Sequence, residues 1–192
     1  MQLRFPLLLA SASPRRLELL RQIAITPAEV RAADIDETPH RRELPRTYAI
    51  RLAEEKAKAV SAPGHLILAA DTVVAAGRRI LPKPENETEV QECLELLSGR
   101  RHKVYTAIAL LAPHGKMHRR MGEAVVSFKK LTAKEITAYI KTGEGIGKAG
   151  GYGIQGQAAS FIKFISGSYS AIVGLPLFEL AQLLHPYERH HG

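Results

Sequence analysis

Residues 7–20, Leu7-Leu8-Leu9-Ala10-Ser11-Ala12-Ser13-Pro14-Arg15-Arg16-Leu17-Glu18-Leu19-Leu20, read as a buried strand, a turn of small residues and the start of a helix. Ser13 followed by Pro14 fits an N-cap and the first helical position. Leu17, Leu19 and Leu20 begin an apolar helical face. Arg15 and Arg16 therefore fall in the first turn, where the helix dipole is positive and carboxylates are favoured. A local rule broken this plainly marks either a functional site or a tolerated, solvated surface. The functional reading is an anion site, with helix-start N–H groups and two guanidiniums directed at one small volume.

This strand-to-helix step repeats along the chain, and the alternation argues for α/β architecture. Residues 24–33 are strand-like and lead into the acidic loop Asp34-Ile35-Asp36-Glu37-Thr38-Pro39. Tyr48, Leu52, Ala53, Lys56 and Ala57 mark a helix over 45–60. Residues 66–76 form an apolar strand interrupted by Asp71 and Thr72; Gly77 turns it, and Ile80-Leu81 return before Lys83-Pro84. Val90, Leu94 and Leu97 pace a helix closed by Ser98-Gly99. Residues 104–111 and 124–128 read as a hairpin around Pro113-His114-Gly115-Lys116. Thr132 and Glu135 form a capping box that opens a helix to about Lys141. A glycine-dense loop over 143–156, a strand over 161–165, a turn at Ser166-Gly167-Ser168 and a last helix over 176–184 complete the order. No repeat or linker divides the chain, so a single domain over 1–192, two-lobed with a cleft, is expected.

Composition narrows the function. With 192 residues, 45% hydrophobic and 24% charged, the chain suits a globular fold with a sizeable core. No apolar run approaches the ~20 residues of a membrane span. The N-terminal apolar stretch is too short for a signal peptide, and the lone Cys93 reads as a core thiol in a reducing compartment, hence the cytoplasm. The net charge of +8 is spread along the chain; with aromatics at 6% and no tryptophan, no base-stacking platform is evident. A phosphorylated small molecule fits that balance, and no membrane or dedicated nucleic-acid partner is expected. The end, His190-His191-Gly192, reads as a short polar tail rather than a metal site.

Several residues carry chemistry. Asp71 follows Leu66-Ile67-Leu68-Ala69-Ala70 and is expected at the carboxyl end of a buried strand, where α/β proteins place ligands and a carboxylate is costly unless paired, metal-bound or catalytic. Pairing around Gly77 brings Lys83 towards it, and lysine is a point-charge phosphate ligand. Lys56 lies on the partly apolar side of its helix, its stem buried and its head free to reach a site. Asp34, Asp36 and Glu37 are either a solvated acidic turn or an oxygen-rich cluster suited to a hard divalent ion. The run Lys148-Ala149-Gly150-Gly151-Tyr152-Gly153-Ile154-Gln155-Gly156 lets backbone approach a ligand, while Gln155 offers both donor and acceptor. His65, His102 and His114 read as surface or structural.

Eight segments in register resemble the Maf family. They are Leu9–Arg16, Asp36-Glu37-Thr38-Pro39, Arg51–Ala57, Ala70-Asp71-Thr72-Val73-Val74, Lys83-Pro84, Ser98–Val104, Ala149–Gly156 and Gly174-Leu175-Pro176-Leu177. The resemblance implies an elongated mixed β-sheet flanked by helices, related to the inosine triphosphatases, and often a homodimer. It also implies metal-dependent hydrolysis of nucleoside triphosphates to the monophosphate and pyrophosphate. Pro14-Arg15-Arg16, Asp71-Thr72 and Tyr152–Gly156 look like the branch acting on dTTP, UTP and modified pyrimidine triphosphates. By the same resemblance Asp71 is the general base, Glu37, Lys56 and Lys83 handle metal (Mg²⁺ or Mn²⁺, with Asp71) and phosphates, and Arg15, Thr72 and Gln155 select the nucleobase. Ser11 and Arg16 join the substrate-binding set. Pro82 stands where the family carries glycine or a polar residue. Competing readings are a pyrophosphatase for ITP or 7-methyl-GTP, and a non-enzymatic septum-formation or nucleic-acid-binding protein.

Overall fold

The structure, a computed structural model, describes residues 2–189; the polar tail from His190 lies outside the described residues. In chain order the elements are β1 (Leu7–Leu9), α1 (Pro14–Gln22), β2 (Glu29–Val30), α2 (Pro45–Ala59), β3 (Leu66–Ala76), β4 (Arg79–Leu81) and α3 (Glu87–Leu97). β5 (Arg101–Leu111), β6 (Met117–Phe128), α4 (Ala133–Ile140), β7 (Ile162–Gly167), α5 (Tyr169–Val173) and α6 (Leu177–Leu184) follow. Among the described residues seven strands form one sheet, ordered β2-β1-β3-β5-β6-β7, with β4 paired to β3. β1 runs parallel to β2 and β3, and the other pairings are antiparallel. The expected mixed sheet is present.

Strand β3 organises the molecule. One edge pairs with β5 from Ile67 to Ala75. The other edge is shared: β1 covers Leu66 to Leu68, and β4 covers Val74 to Ala76. Between them β3 has no strand neighbour on that edge, which leaves a gap beside Asp71 and Thr72. β4 is placed there because Gly77, at φ 61°, takes the left-handed turn conformation.

The two faces of the sheet bury separate clusters. Leu8, Ala10, Ile67, Ala69, Val73, Ala107 and Ala109 pack against Tyr48, Ala49, Leu52, Ala53 and Ala57 of α2. The alanines of α2 lie four apart, so one face of the helix approaches the strands closely. On the opposite face Leu66, Leu68, Val104, Ile108, Leu110, Val126 and Phe128 meet α1, α3, α4 and α6. Successive strand residues point to opposite faces, so Asp71 faces α2 while Thr72 faces Thr106, whose hydroxyl also reaches the Ala171 carbonyl.

Several boundaries differ from the sequence reading. The strand expected over 24–33 shrinks to Glu29–Val30, because Ala24 sits at φ 56° and Pro27 lacks an N–H for a ladder. β5 and β6 extend over Arg101 to Lys103 and over Met117 to Glu123, since cross-strand pairing overrides their charged composition. The strand after the glycine loop continues through Gly167. The short helix α5, capped by Ser168, was not expected; its Oγ accepts from Ala171 N–H at 3.2 Å. The Thr132–Glu135 capping box is present in both directions.

Gly122 is required by packing: a Cβ there would lie 2.6 Å from Pro176 Cβ and 2.8 Å from Ala171 Cβ. Gly122→Ala is expected to lower stability by about 1–3 kcal/mol through overpacking of α5 and α6 against β6. Urea unfolding monitored by circular dichroism should show a lower midpoint with an unchanged slope.

Candidate active site

The gap in the sheet opens into a cleft of about 420 Å³. Ser11 to Arg16, Ala32, Ala33, Glu37, Lys56, Thr72 and Lys83 line one part, and Lys148, Ala149 and Tyr152 to Gln155 with Ile172 to Gly174 line another. Of the residues that the resemblance assigns to substrate or metal, all but Asp71 line this cleft; Asp71 is buried and bonded to Lys56, which does line it.

At the start of α1, the first turn holds no acidic residue, and the Ser13 side chain makes no capping bond. Ser13 N–H instead donates to Ser11 Oγ at 3.2 Å. The two arginines differ sharply. Arg16 donates from Nε to the Gly174 carbonyl (2.9 Å), from one terminal nitrogen to Ser11 Oγ (2.9 Å) and from the other to Thr72 Oγ1 (3.4 Å). It thereby ties α1 to β3 and to the α5–α6 connection. Gly174 reaches this contact at φ 133°, in a conformation suited to glycine. Burial lowers the Arg16 pKa from its usual value, while Asp71 and Glu37 act in the opposite sense. Arg15 lines the cleft and makes no hydrogen bond or ion pair with the described residues.

Asp71 is 1% exposed, and its Oδ1 accepts from Lys56 Nζ at 2.6 Å. The same ammonium lies 2.6 Å from Glu37 Oε1, and Lys83 Nζ lies 2.5 Å from Glu37 Oε2 and 3.8 Å from Asp71 Oδ1. Two carboxylates and two ammoniums thus interleave, with Lys56 itself buried. Tyr48 Oη donates to the Glu37 carbonyl at 2.6 Å and holds the acidic loop over α2. Burial pushes the Glu37 carboxyl up, but hydrogen bonds from Lys56 and Lys83 outweigh it and hold the group at about 2. Asp71 Oδ2 is buried with no hydrogen-bond partner. An unmet acceptor of this kind is rare and points to a ligand or a function.

The turn around Gly77 brings Lys83 in as its spacing implied, and Pro82 leaves the approach open while its carbonyl accepts from Gly150 N–H at 3.0 Å. Asp34 and Asp36 are not part of the cleft, and Asp36 Oδ1 instead accepts from Thr38 N–H at 2.9 Å in a local turn. Of the acidic cluster, only Glu37 reaches the site. Lys148 was not singled out from the sequence; it lines the cleft and donates from Nζ to the Glu144 carbonyl. Lys148, Arg15 and Arg16 have no carboxylate partner among the described residues, whereas Lys56 and Lys83 are balanced by Asp71 and Glu37. The cleft therefore carries surplus positive charge, which suits a polyanion.

The chain matches the family described as Maf-like protein over residues 6–187. The chain belongs to the Maf family. Among its relatives, a Caulobacter vibrioides protein named dTTP/UTP pyrophosphatase is 58% identical over 180 residues, covering 93% of both chains. A Paramagnetospirillum magneticum protein of the same name is 61% identical over 180 residues, covering 93% of this chain and 95% of that one. The solved structure of a HAM1 protein from Coxiella burnetii covers 95% of this Maf chain and 99% of its own, with a TM-score of 0.51 and 17% identity. That likeness establishes a shared fold.

The Lys56 arrangement makes two measurable demands on Maf stability. Lys56→Met leaves buried Asp71 with only the longer 3.8 Å pairing to Lys83, with an expected loss of about 3–5 kcal/mol that a second change, Asp71→Leu, largely recovers. Glu37 has a folded pKa of about 2 against an ordinary 4.5, so its contribution is present above about 4.5 and disappears as pH falls towards about 2. Unfolding midpoints measured across that window should fall more steeply for the parent protein than for Glu37→Gln.

Proposed function

We propose that this protein hydrolyses nucleoside triphosphates, dTTP and UTP foremost and modified pyrimidine triphosphates with them, to the monophosphate and pyrophosphate. The observation that carries this reading is the unpartnered Oδ2 of buried Asp71, whose partner Lys56 lines a cleft with surplus positive charge. The activity for which the relatives are named supports the same substrate class.

The chemistry follows from how the side chains divide their work. Oδ1 of Asp71 is held by Lys56, so Oδ2 is the oxygen left to accept a proton from the water that attacks the α-phosphorus. Lys56, Lys83 and the N–H groups at the start of α1 stabilise charge developing on the phosphate oxygens. Ser11 and Arg16 bind substrate, with Arg16 also fixing the geometry of that wall. Arg15, Thr72 and Gln155 select the nucleobase.

A divalent metal, Mg²⁺ or Mn²⁺, fits the donors present. The available ligands are all oxygens, as hard cations require. Asp71 Oδ2 has no partner, and Glu37, joined to Asp71 through Lys56, is a second carboxylate at the cleft. Asp71 and Glu37 would hold the ion, with substrate phosphate and water completing its shell. When bound, it would supply Lewis-acid polarisation of the phosphoryl oxygens and a more acidic water.

The chain acts as a single domain over 1–192, as a homodimer and in the cytoplasm. A buried, unpaired Cys93 accords with a reducing compartment.

A side-by-side assay of pyrophosphate release from dTTP, UTP, ITP and 7-methyl-GTP tests the reading, with dTTP and UTP expected to be turned over fastest. Asp71→Asn should lower kcat by about 10²–10⁴-fold. EDTA should abolish turnover and Mg²⁺ or Mn²⁺ restore it. Undiminished activity in Asp71→Asn would remove Asp71 as the base, and faster turnover of 7-methyl-GTP would move the protein to another substrate class.

A further inference from the structure

Gln155 reaches the cleft from a loop, yet a nucleobase can be selected only if its amide is held still. Two contacts fix the backbone just before it. The Tyr152 hydroxyl shares a 2.7 Å hydrogen bond with Nε2 of His102, and Gly153 N–H donates to Tyr139 Oη at 3.1 Å. Tyr152 to Gln155 all line the cleft, whereas His102 does not. His102 is 2% exposed on β5, with its ring edge-on to Phe128 (centroids 5.0 Å, 86°) and to Tyr152 (5.4 Å, 80°).

Packing alone does not account for a histidine here. Its Nδ1 is buried with no hydrogen-bond partner. Leaving such an atom unmet costs about 1–3 kcal/mol, which a well-shaped apolar side chain would avoid. The surrounding rings already pack on one another, Phe128 with Tyr152 at 4.9 Å and Tyr139 with Phe161 at 5.5 Å. Burial also holds the imidazole pKa at about 4, so the ring is neutral at physiological pH and its bond to Tyr152 does not switch there. What His102 supplies is a fixed polar strut under the segment that carries Gln155.

We propose that His102 is a positioning residue for nucleobase selection: its bond to Tyr152 sets the depth of residues 152–155 in the cleft wall and so the placement of the Gln155 amide. This rests on reading the cleft as a nucleotide site. The proton-transfer machinery is separate, because no hydrogen bond or ion pair of Asp71, Glu37, Lys56 or Lys83 involves side chains of the 148–156 loop. Losing the strut therefore loosens recognition more than chemistry.

The test compares Tyr152→Phe, His102→Leu and His102→Gln, with kcat and KM resolved for dTTP and for ITP and the Tm measured alongside. Tyr152→Phe and His102→Leu should each raise KM for dTTP about tenfold, the order of one hydrogen bond. In both, kcat should change by less than KM, and the preference for dTTP over ITP should fall about as much as KM rises. His102→Gln, which returns a polar group at similar reach, should recover part of that preference. A Tm that falls while KM and the dTTP/ITP ratio stay at parent values would overturn the inference and leave His102 a packing residue. A fall in kcat equal for both substrates would also overturn it. If the parent protein releases pyrophosphate from no triphosphate, the proposed function fails. The strut is then judged by the thermal shift that dTTP and ITP each produce in the same variants. An unchanged ratio of the two shifts overturns it.

Discussion

The ammonium of Lys56, lodged 2.6 Å from both Asp71 and Glu37, is the contact on which the rest of the arrangement depends. A carboxylate at 1% exposure cannot stand alone in a protein interior. Lys56 resolves that cost for Asp71 and, with its second carboxylate, draws the loop before α2 over the cleft. The pair is not an economical way to stabilise a fold, since apolar residues of similar volume do as well or better. Its persistence at the gap in the sheet is therefore a statement about chemistry. Lys56 occupies only one oxygen of Asp71 and leaves the other as an unmet acceptor.

Topology decides where that acceptor stands. β1 ends beside Leu68, and β4 ends beside Val74, so a stretch of β3 lacks a strand on one edge. Strand alternation sends neighbouring Asp71 and Thr72 to opposite faces of the sheet. Asp71 meets α2, while Thr72 meets Arg16 and Thr106, the latter bonded to Ala171 of α5. Elements on both faces thus converge on two consecutive residues at a single break. Asp71 thus stands in the middle of β3 and not at the carboxyl end of a strand as the sequence suggested; the break in pairing gives it the access that strand ends give in open α/β sheets.

Much of this was legible in the sequence, and the exceptions have physical causes. β3 could be bounded at both ends because its apolar run is long and Gly77 closes it. Asp71 and Lys83 could be joined because a tight hairpin leaves little choice of register. Residues 24–33 misled because apolar content without alternation does not distinguish a strand from an extended loop, and the positive φ of Ala24 has no sequence signal. Asp34, Asp36 and Glu37 could not be separated, since their roles depend on which way a loop turns. His102 read as surface or structural because its partner, Tyr152, lies fifty positions away and meets it only through the sheet. Lys148 was hidden for a similar reason: its run is dominated by glycine, and its position in the cleft is set by long-range packing.

The paired arginines show how the fold maintains a positive cleft. Arg16 could have been neutralised by a carboxylate, which would have given it a stronger bond. Its partners are instead a carbonyl and two hydroxyls, all neutral. Neutral acceptors satisfy the donor geometry of a guanidinium but leave its charge uncompensated, so its field still reaches the cleft. Arg15 is left without even these partners. Carboxylates are thus placed where charge must be balanced, at Lys56 and Lys83, and absent where it must be displayed. That division explains why a helix start can keep two adjacent arginines against its own dipole. Their mutual repulsion and the dipole both act against this placement, and an arriving polyanion relieves both at once.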